Sequence, residues 1–149
     1  MSALAALQVA ATLCAALFAG AALYINVAEH PARMVLDTRH AALQWAPSYE
    51  RATWMQAPLA LLSLLTGTTA WLMGAGAGWL VAALLIGAVV PFTFAVILPT
   101  NHALLAPDRD LASDETRALL ERWARLHAVR TALSLAATAA YLLLLLTRA

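Results

Sequence analysis

From Ala52 to Pro107 the chain carries no aspartate, glutamate, lysine or arginine, and His102 is the only side chain there that titrates near neutrality. A stretch of that length without fixed charge holds two membrane-crossing helices of about 20 residues each. Composition agrees. Hydrophobic residues make up 63% of the chain and charged ones 11%, against roughly 25% charged in soluble domains. The polar surface needed to face water is missing, which defines an integral membrane protein. A net charge of +1 gives no electrostatic reason to bind nucleic acid. All nine basic residues are arginine. With the abundant alanine and leucine, that suggests a GC-rich bacterial genome and hence a bacterial inner membrane. The single cysteine, Cys14, lies in an apolar run and has no intramolecular disulfide partner.

Four spans are expected, in a single all-α domain covering 1–149. The first, about 3–27, lacks the positive n-region of a signal peptide and exceeds the usual h-region, so it reads as a retained span. Its Ala15, Ala16, Ala19, Gly20 and Ala22 suit close helix approach and permit a homo-oligomer. The second covers about 53–73, with Pro47 in its first turn and a kink at Pro58. The glycine-rich run Gly74–Gly78 makes a tight turn. The third covers about 79–98, interrupted by Pro91 and ended by Pro99. The fourth rises from a Ser113 cap, with Asp114 and Glu115 in its first turn, and crosses at about 126–147.

This order puts Arg33, Arg39, Arg51, Arg109, Arg117, Arg122, Arg125 and Arg130 at one membrane face and only Arg148 at the other. The bias sets that face in the cytoplasm and both termini outside. All eight acids share it. The connections Glu29–Arg51 and Thr100–Arg125 therefore read as short helices and loops forming a polar cap over a four-helix bundle.

Helical spacing aims polar groups at this rim. Asn26, Glu29 and His30 stand at i, i+3 and i+4, before Pro31 turns the chain. Tyr49 and Gln56 share a stripe of span two, Asn101 follows Pro99, and Trp123, His127 and Arg130 share a stripe of span four. Each has an ordinary role available: Arg130 snorkelling to headgroups, Asn26 and Gln56 bonding between helices, Trp45 and Trp123 in the interfacial belt, His40 and His102 in solvent. Their convergence favours a site, because ionisable groups at membrane depth are costly and mark function.

The segments YINVAEHPARM, WAPSYERATWMQAPLALL, PFTFAVILPTNHALL and LLERWARLHAVRTALSLAA resemble, in the same order, the anthrone-oxygenase-like family of small four-span membrane proteins. The Pro-Thr-Asn and Trp-x-x-x-His-x-x-Arg stretches carry the resemblance most specifically. It implies a membrane monooxygenase, since characterised relatives oxidise anthrones to anthraquinones, while many bacterial relatives have no known role. It marks Asn101, Trp123, His127 and Arg130 first, then Glu29, His30 and Pro31, and brings no settled cofactor.

The residues support such chemistry independently. An anthrone has acidic CH₂ hydrogens conjugated through its rings to a carbonyl, and its enolate can reduce O₂ without a metal. The site needs a base, donors for the oxyanion and an apolar slot. His127 fits the base, Arg130 and Asn101 the oxyanion, with Glu29 orienting a histidine or acting as base itself. Trp123, Asn26, Tyr49 and Gln56 would bind the hydrophobic substrate in the bundle interior. A haem or metal oxidoreductase is an alternative, with His30 and His127 as ligands and Glu29 or His102 in support. A third is a non-catalytic lipid- or small-molecule-binding bundle or partner subunit. The short chain without a visible inverted repeat argues against a transporter.

Overall fold

The computed structural model describes residues 2–147. Arg148, the single arginine expected on the far membrane face, lies outside the described residues, as do Met1 and Ala149. Four helices, α1 (Ala3–Arg33), α2 (Thr38–Ala75), α3 (Ala77–Leu104) and α4 (Asp114–Leu146), are each long and apolar enough to cross a membrane. Each packs on its neighbour in sequence, and α4 closes the ring by returning to α1.

The turns obey local chemistry. Gly74 and Gly76 adopt φ values of 88° and 96°, a region that a β-carbon makes costly, so the glycine run reverses the chain between α2 and α3. Ser113 caps α4 by accepting from Thr116 N at 3.2 Å, and Asp114 and Glu115 fill the first turn, as the sequence indicates.

The helices overshoot the spans read from the sequence. The 33 helical residues Thr38–Ala70 extend about 50 Å at 1.5 Å per residue, against a hydrocarbon core of about 30 Å. The connection expected at Glu29–Arg51 is in fact a turn over residues 34–37. Asp37 caps α2 there by accepting from His40 N at 3.1 Å. Pro47 lies well inside α2 rather than in its first turn. Pro99 does not end α3, which continues to Leu104.

Two of the prolines share a device. Pro31 and Pro99 each stand one residue beyond a π turn, Ile25–Glu29 and Thr93–Ile97. In those turns the His30 and Leu98 N–H groups reach back five residues to Ile25 O and Thr93 O. The widened ring makes room for a pyrrolidine that would otherwise clash with the preceding turn. The helix therefore passes a residue that sequence reasoning takes as its end.

The core is layered. Alanines 11, 15, 70, 75, 82 and 83 with Trp79 and Tyr141 fill the half nearest the glycine turn. Phe18, Ala22, Ala60, Ile86, Val89 and Ala137 form the middle. Ile25, Trp45, Ile97, Leu104, Leu120 and Trp123 form the polar-end layer. Ala15, Ala19 and Ala22 of the small-residue face are buried inside this bundle.

Candidate functional site at the polar end of the bundle

At the polar end, α4 turns Trp123 and His127 inward: they are 4% and 1% exposed. His127 donates from Nδ1 to Asn26 Oδ1 at 2.8 Å, and the Thr131 hydroxyl donates to the same oxygen at 2.5 Å. The amide orientation is set because Asn26 Nδ2 donates to the Ala124 carbonyl, which can only accept (3.2 Å). With the proton on Nδ1, the imidazole lone pair lies on Nε2. Asn26 therefore fixes the tautomer in which His127 can act as a base.

His30 takes the opposite form. Arg33 Nη1 donates to its Nδ1 at 3.2 Å, and an arginine has no lone pair to receive a proton in return. The ring proton then sits on Nε2, which is buried without a partner. Arg33 also engages the Glu29 carboxylate and Ser48 and donates from Nε to Gln44 Oε1 at 2.6 Å. Ser48 in turn donates to Glu29. Sequence reasoning placed Arg33 among the rim arginines; it is instead 2% exposed, neutralised by Glu29. The i+4 spacing from Glu29 was the available signal. Gln44, Ser48 and Thr131 were also missed, and only Thr131, one turn beyond His127, could have been found by spacing.

Glu29 thus orients Arg33 and leaves the histidines alone. The π turn splits the stripe expected for Asn26, Glu29 and His30: Asn26 serves α4, while Glu29 and His30 serve Arg33. Trp123 separates the histidines, with ring centroids 5.5 Å from His30 and 4.9 Å from His127. Trp45 meets Trp123 edge-on at 5.8 Å and stacks on Tyr49 at 5.1 Å. Trp45 and Trp123 are therefore core residues and not interfacial belt aromatics, because helical overshoot places them inside the bundle mouth. His40 and His102 are exposed, as expected.

Arg130 does not snorkel. Its Nη2 donates to Gln56 Oε1 at 2.8 Å, and its guanidinium lies 5.4 Å from the centre of the Phe18 ring. Among the described residues no carboxylate pairs with it. Unlike Arg33, it is a largely enclosed cation with no carboxylate beside it among the described residues.

Tyr49, Gln56, Trp123, His127 and Arg130 line one chamber of about 10 Å³, room for about one water. Four lining residues bear buried N–H groups without a partner: Trp45 Nε1, Trp123 Nε1, Gln56 Nε2 and Arg130 Nε. All four atoms donate, so the chamber suits an oxygen-bearing or anionic guest. Asn101 stands apart. It is fully buried with both amide atoms unpartnered, and it shares a helical stripe with Ile97 and Leu104 of the aromatic layer without lining the chamber.

A metal is poorly served. Among the described residues no three His, Cys, Asp or Glu side chains gather as a ligand set, and the indole of Trp123 intervenes between His30 and His127.

The fold and site together define a class: a four-helix membrane protein with an imidazole and an uncompensated guanidinium at a buried, donor-lined chamber. The family model described as anthrone oxygenase matches residues 45–140. The anthrone oxygenase tpcL of Aspergillus fumigatus is 35% identical over 136 residues, covering 83% of each chain. No solved structure matches. The chain belongs to the anthrone oxygenase family. This relative is fungal, so it lends no support to the bacterial source inferred from composition.

Proposed function

We propose that the chain is a membrane-embedded oxygenase that oxidises a hydrophobic phenolic or polycyclic CH₂ ketone with O₂. The observation that carries this reading is Arg130, a guanidinium without a carboxylate, beside a histidine held with its basic nitrogen free. A neutral substrate that becomes an anion on losing a proton to His127 would supply the missing negative charge, so the enolate is favoured over the ketone. Family membership supports the same reaction type.

The balance needs no further reductant. His127 Nε2 removes a ring CH₂ proton, and the enolate gives one electron to O₂. The substrate radical and superoxide join through a carbon–oxygen bond to form a peroxide. Loss of the second C–H proton with cleavage of the O–O bond leaves a new carbonyl and releases water. One oxygen atom enters the product, and both pairs of electrons come from the substrate. Arg130 and Gln56 hold the developing oxyanion, Asn26 and Thr131 keep His127 in its working tautomer, and Trp123 fixes the plane of its ring. By the arginine bias, the chamber belongs at the cytoplasmic side.

The test is O₂ uptake and quinone formation from anthrone by the purified protein in lipid nanodiscs. Replacement of a general base costs about 10²- to 10⁴-fold, so His127→Ala should lose that much turnover while retaining its helical circular dichroism. An undiminished rate removes His127 from the chemistry. No O₂ uptake by the wild type would leave the non-catalytic binding reading in its place.

A further inference from the structure

The interior slot anticipated from the sequence is too small for a polycyclic substrate, since the chamber holds about 10 Å³. A second cavity of about 150 Å³ adjoins it, sharing Tyr49, Thr53 and Arg130. It lies between α2 and α3, where Pro91 and the π turn Thr93–Ile97 interrupt α3. Its other walls are apolar, among them Phe18, Ala57, Val90 and Phe94. Phe94 is 66% exposed, so in a membrane the cavity opens sideways to lipid. Thr93 adds no polarity, because its hydroxyl donates to Val89 O at 2.6 Å.

We propose that this lateral cavity is the binding site for one ring of a planar polycyclic substrate, reached directly from the bilayer. The inference rests on the oxygenase reading and locates its substrate. A dry apolar cavity of about 150 Å³ accepts a benzene-sized ring. The single cation at the inner end, Arg130, then meets a ketone or phenolate oxygen on the ring edge, and Phe18 flanks it. The remaining rings lie in the cleft between α2 and α3, and the water-sized chamber is left for O₂. A lipid acyl chain would leave a methyl group against the guanidinium and satisfy none of its donors.

The probe is 9,10-anthraquinone, which binds without turnover, titrated into protein in phosphatidylcholine nanodiscs and read by quenching of tryptophan fluorescence. Ala57 is exposed and tolerates a larger side chain, so Ala57→Leu narrows the cavity without disturbing the core. Its Kd should rise about tenfold, within the usual cost of overfilling a site. Ala21→Leu, in the groove on the α1 side of α2, should leave Kd unchanged. An unchanged Kd in Ala57→Leu, an equal loss in Ala21→Leu, or no saturable binding overturns the assignment. So does a co-purified phospholipid that anthraquinone cannot displace. Binding is read without turnover: a wild type that binds the quinone through Ala57 yet never oxidises anthrone refutes the oxygenase reading and leaves the ring site standing.

Discussion

The two halves of the bundle solve opposite problems. Near the glycine turn, small residues bring the helices together. A β-carbon on Gly67 would stand 2.1 Å from the Tyr141 hydroxyl, and one on Gly78 would stand 2.6 Å from Leu144. Two of the buried hydroxyls there are used: Tyr141 donates to Ser63 O, and Ser63 donates to Ala11 O at 2.9 Å, while the Gln8 amide nitrogen has no partner. At the polar end the side chains are large and aromatic, cavities remain, and four buried N–H groups around the chamber have no partner. Membrane helices gain little from hydrophobic burial against each other, so close contact supplies stability. The half with cavities and unmet donors gives up stability that its closely joined half must provide. Such a cluster of unmet donors is unusual, because native cores leave few buried polar groups unsatisfied.

The largest expected effect on this contrast comes from Gly67→Ala. The tyrosine ring must swing away from Ser63 and Trp79, costing about 2–3 kcal/mol, read as a lowered midpoint of unfolding in mixed micelles. Activity per folded molecule should hold. A loss below 0.5 kcal/mol would show that the turn half is as loosely filled as the rim.

Asn101→Leu should act in the opposite direction. Removing two unpartnered amide atoms from an apolar stripe should raise stability by about 1–2 kcal/mol. If turnover falls at the same time, Asn101 serves function at the expense of the fold. If stability drops, its amide has a structural partner and the contrast weakens at that point.

The smallest effect belongs to the exposed cap of α2. The His40 backbone N–H, and then its ring, hold the Asp37 carboxyl below the usual carboxylate range. A depressed folded-state value means that its contribution is present above the ordinary carboxylate pKa and lost as pH falls through the folded one. Amide protection factors at Thr38–Ala41, corrected for intrinsic exchange, should fall in acid, and Asp37→Ala should remove that pH dependence while leaving α4 unchanged.

Much of the architecture was legible from one dimension. The charge-free stretch and the apolar runs defined four crossing helices, because lipid leaves a backbone no other way to satisfy its hydrogen bonds. Ser113 announced its cap, and the glycine run its turn. Periodicity also brought Trp123, His127 and Arg130 to one face with Tyr49 and Gln56 opposite. It failed at Pro31 and Pro99, because a proline's cost depends on whether the turn before it is α or π, and no local pattern reveals that; it also failed at Pro47, which the α-helix Thr38–Ala70 carries inside it.

The sequence by itself determined how many times the chain crosses and which ends carry polar groups, since both follow from solvation free energies summed over each segment. Only the tertiary structure decided that Arg33 is neutralised while Arg130 is not, that Asn26 sets the proton on His127, and that the apolar cavity beside Arg130 opens sideways. Those facts depend on distances between helices far apart in the chain, and spacing along one helix carries no record of them.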